Sequence, residues 1–114
     1  MIKEIKNSEP LARSELYILI ALAQGERHGY EIMQYIKAVS ENNVRLGPGT
    51  LYVAIKRLLE AGLVATAGKR QEKDKRVRKY YKLTEKGRKR LGLELAQLKA
   101  FLALPKIKTL IPEV

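Results

Sequence analysis

Hydrophobic residues between positions 47 and 64 recur at the spacing of an amphipathic helix. The stripe that would face a core follows the i, i+4, i+7, i+8 pattern and consists of Leu51, Ile55, Leu58 and Leu59. Pro48 suits the first helical position, and Gly62 suits the left-handed residue after the last turn. The opposite face is small or polar and then basic, and it holds Gly49, Thr50, Val53, Lys56, Arg57 and Glu60, with Tyr52 on its flank. This face is typical of a recognition helix that enters a DNA groove with its N-terminus first, although a solvated surface helix shows the same pattern.

Two further helices are predicted ahead of this one. The first has Ser8 as its N-cap and Glu9 and Pro10 in its first turn, and it is apolar around most of its circumference. The second follows a glycine-containing break and has the apolar face Ile32, Met33, Ile36 and Val39. His28 stands alone at the break and is expected to be a capping or exposed residue rather than a ligand. Residues 44–46 are predicted as a short strand, and the whole arrangement describes a helix-turn-helix.

After Gly62 the period changes from about 3.6 to 2. Residues 63–70 and 77–84 alternate as two strands around a polar turn at 71–75, which predicts a β-hairpin after the helix-turn-helix, a wing. We expect its basic side chains to contact DNA phosphates, namely Lys73, Lys75, Arg76 and Arg78. The alternative is that these long cationic side chains only protect a free edge strand from aggregation.

The last predicted helix is capped by Thr84, runs from Glu85 to Leu104 and is ended by Pro105, before an irregular tail. Its apolar residues at spacings of 4, 3 and 4 are Leu91, Leu95, Leu98 and Leu102. This helix and the first one have more apolar surface than one small subunit can cover. We therefore expect a homodimer whose interface includes these four leucines together with Leu16 and Leu19.

Composition supports a nucleic-acid partner and argues against catalysis. The 114 residues carry a formal net charge of +11, and twelve basic against three acidic side chains fall between positions 69 and 90. The chain has no cysteine, one histidine and no clustered carboxylates, so no enzyme activity, metal site or cofactor is expected. No apolar run is long enough for a membrane span, so we expect a soluble, cytoplasmic protein of one domain's size.

Three stretches, HGYEI at 28–32, GTLYVAIKRLLEAGLV at 49–64 and RKYYKLTEKG at 78–87, resemble the PadR-like family of winged helix-turn-helix transcriptional regulators. The resemblance implies a homodimeric repressor that binds a palindromic operator in double-stranded DNA, with a single C-terminal helix as the dimer interface. It implies that Tyr52 takes the place of the family's DNA-contacting tyrosine, and that Tyr80 belongs to the second wing strand, among the DNA-binding residues. Val53 departs from the family, which most often has proline there.

The predicted fold class is therefore α+β, mostly α with a small β-hairpin. A winged helix-turn-helix DNA-binding domain occupies residues 1–83, and a C-terminal dimerisation helix and tail occupy residues 84–114. The alternative function is that of a non-specific, nucleoid- or ribosome-associated basic protein. The sequence leaves open the operator, the regulated genes, repression against activation, the role of the tail, and whether a small-molecule effector exists.

Overall fold

A computed structural model of the chain describes residues 10–113, which form five helices and three strands. In chain order these are α1 (Arg13–Ala23), β1 (Arg27–His28), α2 (Gly29–Val39), α3 (Pro48–Glu60), β2 (Val64–Gln71), β3 (Val77–Leu83), α4 (Glu85–Leu102) and α5 (Pro105–Lys108). The three strands make one antiparallel sheet in the order β1-β3-β2. This layout confirms the predicted α+β class with a helix-turn-helix and a hairpin.

The core lies where α1, α2 and α3 pack together and against the base of the hairpin. Its largest fully buried aliphatic side chains come from these three helices and are Ile18, Leu19, Ile32, Leu51, Ile55 and Leu58. The first turns of α4 join the same core through Leu91. The predicted buried stripe of α3 is confirmed, and it fixes which face of α3 points to solvent.

Both ends of α3 follow from residues visible in the sequence. Pro48 is the first helical residue, where its missing N–H costs no hydrogen bond. Gly62 follows the helix with φ +74°, a left-handed conformation that glycine adopts without a Cβ penalty. The N–H of Leu63 donates to the carbonyl of Leu58 at 3.0 Å, and that of Gly62 donates to Leu59 at 3.1 Å. This Schellman turn ends α3 and directs the chain into β2.

The hairpin lies where the alternating pattern predicted it, but the sheet has a third strand. β1 pairs with β3, with Arg27 opposite Tyr81 and His28 opposite Tyr80. Two residues are too few to produce a period in the sequence, so this strand was not predicted. β1 covers the edge of β3 that β2 leaves free and ties the hairpin to the start of α2.

Three predictions of local structure are wrong. Pro10 is not helical, because α1 begins only at Arg13; the predicted cap Ser8 lies outside the described residues. Residues 44–46 form no strand, since the N–H of Val44 donates to the hydroxyl of Ser40 at 2.9 Å within a loop. α4 ends at Leu102, and Pro105 begins α5 instead of an irregular tail, because proline's fixed φ suits a first helical turn.

We predict opposite stability effects for alanine at two helical glycines. A Cβ at Gly87, in the first turn of α4, would overlap the carbonyl oxygen of Leu63 and crowd Leu83, whereas a Cβ at Gly49 in α3 meets nothing within 4 Å. Gly87→Ala should lower the free energy of unfolding by about 1–3 kcal/mol through overpacking. Gly49→Ala should raise it by roughly 0.5–1 kcal/mol through helix propensity. Urea unfolding of the two variants checks this, and equal changes of one sign would contradict the packing of α4 on the α3–β2 turn.

Candidate nucleic-acid interface

The exposed face of α3 carries most of the side chains predicted for a recognition helix. Gly49, Thr50, Val53 and Lys56 are all exposed, and Glu60 is exposed at the far end of the same face. The N-terminal turn of the helix therefore presents small side chains and free backbone N–H groups, followed by a cation. Such a surface allows close approach of a phosphate or a base edge.

Tyr52 lies on the flank of this face and is half-exposed. Its hydroxyl end packs directly over Gly29, where a Cβ would overlap the phenol ring. The tyrosine therefore spans from α3 to the first residue of α2, and glycine at the start of α2 makes that contact sterically possible.

Arg57 forms an ion pair that was not predicted from the sequence. Its Nη1 atom lies 3.4 Å from Oε2 of Glu15, whose side chain is only 2% exposed. Oε1 of the same carboxylate accepts the N–H of Ala12 at 2.7 Å and so caps α1. Arg57 itself keeps 31% of its side chain exposed. The pair joins α1 to α3, and Arg57 has a structural role whatever else it binds.

Glu15, the partner of Arg57, was not among the site residues predicted from the sequence. An acidic residue at this position lies three and four residues before Ile18 and Leu19, on the stripe of α1 that the core buries. A carboxylate on a buried stripe needs a cationic or N–H partner, because an unpaired buried charge is costly. The position of Glu15 on the buried stripe of α1 could therefore have indicated from the sequence that this carboxylate has a partner inside the protein.

The wing presents a cluster of cations at its turn. Lys73, Lys75 and Arg76 are exposed, and Lys75 has φ +68° in the turn between the strands. Asp74 partly neutralises this cluster, since its Oδ2 lies 3.7 Å from Nε of Arg76 and its Oδ1 accepts the Arg76 N–H at 3.0 Å. Within residues 10–113, Lys73 and Lys75 are therefore the cations of the turn that form no ion pair with a carboxylate.

Arg78 is held closer to the body of the protein than predicted. Its side chain is 27% exposed, and its Nη2 lies 4.0 Å from Oδ2 of Asp74. The guanidinium also lies 5.8 Å from the ring centre of Tyr30 on α2, which is near enough for a cation–π attraction. Arg78 therefore links the wing to the start of α2 as well as contributing positive charge.

Tyr80 is not available as a DNA contact, which corrects its assignment to the wing's binding residues. It is buried, its hydroxyl donates a hydrogen bond to Glu72, and the guanidinium of Arg70 lies 4.0 Å from its ring centre. The hydrogen bond to Glu72, together with burial, raises the pKa of Tyr80 above its usual value because both favour the neutral phenol. Tyr80 braces the two strands of the wing.

His28 belongs to the same contact group and has the capping role predicted for it. Its Nδ1 accepts the N–H of Glu31 at 3.2 Å, and the carboxylate of Glu31 accepts the N–H of His28 at 3.2 Å, which closes a capping box on α2. Its ring meets the ring of Tyr80 edge-on at 5.2 Å. β1, the start of α2 and the wing are thereby held together.

The residues predicted for a dimer interface divide into three groups by their exposure. Leu19 and Leu91 are core residues, 0% and 5% exposed in a single chain, so assigning them to an interface is corrected. Leu16 is half-buried. Leu95, Leu98 and Leu102 are 41–51% exposed on the part of α4 that extends beyond the core. Apolar neighbours exposed on the same helix and on the tail are Leu93, Phe101, Leu104, Ile107, Leu110 and Ile111.

Other kinds of site find no support in the part of the chain that is described. Residues 10–113 contain no group of three or more His, Asp or Glu side chains that could hold a metal ion. None of their helices has both the length and the apolar character that crossing a membrane requires.

A helix-turn-helix followed by a basic β-hairpin defines the winged helix class of proteins. The model of the transcriptional regulator PadR-like family matches residues 18–93, and the chain belongs to this family of non-enzymatic regulators. The match includes all of α2, α3, the wing and the start of α4. It confirms the family suggested by the three motifs and the expectation that the protein is not an enzyme.

Solved structures of similar proteins agree with this assignment. A transcriptional regulator from Clostridium thermocellum is 26% identical, with 77% of this chain and 82% of that one covered and a TM-score of 0.68. A PadR-like transcription factor from Bacteroides fragilis is 30% identical. The match covers 76% of this chain and 81% of that one, with a TM-score of 0.65. A PadR family regulator from Clostridium difficile is 28% identical. The match covers 80% of this chain and 95% of that one, with a TM-score of 0.65.

A curated relative shares only a short segment. The chain is 47% identical over 51 residues to an uncharacterized 37.1 kDa protein in a transposon of Streptomyces fradiae. The match takes in 45% of this chain but only 14% of that protein. The relative is therefore similar in a segment, and the chain corresponds to a small part of its length.

We predict that Arg57→Ala destabilises the protein, because it leaves the buried carboxylate of Glu15 without its cation. The expected loss in free energy of unfolding is about 1–3 kcal/mol, below the cost of breaking a fully buried pair since Arg57 is partly exposed. Adding Glu15→Gln, which removes the charge but keeps the acceptor for Ala12, should restore part of this loss. The free energies of unfolding of the wild type, the two single variants and the double variant, measured with denaturant, form a double-mutant cycle. Simple additivity of the two changes would show that the pair contributes nothing.

Proposed function

We propose that this PadR-like regulator is a homodimeric, sequence-specific repressor that binds a palindromic operator in double-stranded DNA. The observation that supports this most is the exposed face of α3, which combines small residues at the N-terminal turn with Lys56 and is followed along the chain by a wing with exposed cations. The similar regulators come from bacteria, where the chromosome lies in the cytoplasm, so we propose a cytoplasmic location.

In this proposal the recognition helix reads base edges in the major groove. Thr50 and Lys56 are exposed and unhindered, so they can donate hydrogen bonds to acceptors on a base edge. Gly49 lets the backbone come close, and Tyr52 contacts the DNA with its exposed half. Arg57 takes part with the exposed third of its side chain, while its ion pair with Glu15 fixes its position.

The wing supplies phosphate contacts beside the groove. Lys73, Lys75 and Arg76 lie at the exposed turn, where long flexible side chains can follow the DNA backbone without reading its sequence. Arg78 adds positive charge from the start of β3, next to the turn. Tyr80 acts only through the structure of the wing, since it is buried.

Dimerisation through α4 would cover its exposed leucines. Leu95, Leu98 and Leu102 follow one stripe, and Phe101, three residues after Leu98, adds exposed apolar area beside it, as is typical of a protein interface. Two recognition helices can reach successive major grooves when a dimer holds them about one helical turn of DNA apart. A two-fold dimer therefore explains both the exposed apolar stripe and a palindromic operator. In domain terms, residues 1–83 bind DNA and residues 84–114 dimerise, with the first turns of α4 completing the core.

Wing and recognition helix should respond differently to substitution. DNA selected from a random library supplies the preferred site, and unrelated DNA of equal length supplies the reference. Lys73→Ala with Lys75→Ala should weaken binding to both DNAs alike and reduce the salt slope by about one unit per lost contact. Lys56→Ala should cost roughly 1–3 kcal/mol on the selected site and much less on unrelated DNA.

The wild-type protein gives the decisive comparison in the same experiment. Equal affinity for selected and unrelated DNA at one stated salt concentration would identify a non-specific nucleic-acid-binding protein and contradict the proposal. An unchanged salt slope in the lysine variant would mean that the wing does not contact phosphates.

The dimer is tested at Leu98, which is 41% exposed in the single chain and so tolerates a charge there without losing the fold. Leu98→Asp should give a folded monomer, because a carboxylate buried in an interface costs several kcal/mol. Ala96→Asp, at an exposed position on the opposite side of α4, should remain dimeric. Sedimentation measures assembly, and circular dichroism measures folding.

The monomer should keep weak, salt-sensitive DNA binding and lose the preference for a full palindrome over a half-site. A wild type that is monomeric at micromolar concentration would refute the proposed dimer.

A further inference from the structure

The centre of the outer face of α3 is occupied by an apolar side chain that is mostly exposed to solvent. Val53 is 65% exposed, one turn after Gly49 and one turn before Lys56. Valine is a poorer helix former than most residues, so neither helix propensity nor burial accounts for it at this position. A contact outside the single chain would account for it.

Val53 borders a hollow between α3 and α1. This cavity of about 340 Å³ is also lined by the small residues Gly49, Thr50, Ala54 and Ser14 and by the paired side chains of Glu15 and Arg57. Nothing lies within 4 Å of the point where a Cβ of Gly49 would stand, so a group can approach the helix backbone there. Val53 is the exposed apolar side chain at this cavity, since Ala54 is buried.

The charges around the hollow indicate the kind of partner. Lys56 adjoins Val53 on the exposed face, and the chain as a whole carries a formal net charge of +11, with an exposed basic wing following α3. An apolar protein or lipid surface does not need this surrounding positive charge, whereas a nucleic acid offers both phosphates and base edges. Within the major groove, thymine is the base that presents a methyl group, at its C5 position.

We propose that Val53 is a specificity-determining residue that contacts the C5-methyl group of a thymine in each half-site. The inference rests on the proposed function and deepens it by naming a base that the helix reads. Thymine is preferred because its methyl group loses contact with water against Val53. A cytosine at the same place would bring its N4 donor against a side chain that cannot accept a hydrogen bond.

The test replaces the thymine methyl group alone. In the site selected from random DNA, each thymidine is replaced one at a time by deoxyuridine, which lacks the C5-methyl group and keeps the same hydrogen-bonding edge. At one symmetry-related position per half-site, wild-type affinity should fall about fourfold for each methyl removed, as expected for one buried methyl or methylene group. Substitution in both half-sites should give a loss of roughly fifteenfold.

Variants then assign that loss to Val53. Val53→Ala should bind the thymine site more weakly and become nearly insensitive to deoxyuridine at that position. Val39→Ala is the matched control, because Val39 is 60% exposed on α2 and lies outside the recognition helix. It should keep the full deoxyuridine effect. Thermal unfolding of both variants verifies that neither has lost the fold.

The outcomes separate the inference from the function on which it rests. Specific binding with a deoxyuridine effect that disappears only in Val53→Ala supports the inference. Specific binding with no deoxyuridine effect, or with equal effects in the wild type and Val53→Ala, overturns the inference and leaves the proposed function standing. A wild type that does not distinguish selected from unrelated DNA overturns both.

Discussion

Leu51, Ile55 and Leu58 anchor α3 by burying three aliphatic side chains in the core that α1 shares, and each such burial stabilises the fold by about 1.5–3 kcal/mol. Because a helix is rigid, fixing one face fixes the direction of the other. The exposed positions from Gly49 to Glu60 are therefore presented in one defined orientation. The left-handed turn at Gly62 then sets the path of the chain into the wing. The orientation of the candidate DNA-binding face and the stability of the fold therefore depend on the packing of the same three side chains.

Polar contacts refine this arrangement at the points where elements from different parts of the chain meet. Glu15 and Arg57 join α1 to α3 from inside, and the contacts of Tyr80 with Glu72 and Arg70 brace the wing. Each uses a charged residue that composition alone would count toward surface charge. The positive charge available to DNA is consequently smaller than the number of cations suggests, although Lys56 and the two lysines of the wing turn remain exposed.

The long last helix has two functions along its length. Its first turns belong to the core, where Gly87 permits close approach to the α3–β2 turn and Leu91 is buried. Beyond Leu91, the stripe of leucines is exposed and available to a second subunit. A heptad-like pattern does not distinguish these two uses, since leucine suits both a core and an interface. This is why Leu91 was grouped with Leu95 and Leu98 in the sequence.

The sequence by itself determined the features that depend on neighbours along the chain. Helical period, strand alternation, Pro48, Gly62 and the cap at Thr84 predicted α1 to α4 and the hairpin, apart from the start of α1 and the end of α4, because capping and periodicity act within a few residues. The two-residue strand β1, the ion pair of Arg57 and the burial of Tyr80 were decided only by tertiary structure. Each depends on a partner from a distant part of the chain, and the local pattern contains no information about which distant residue will be placed beside it.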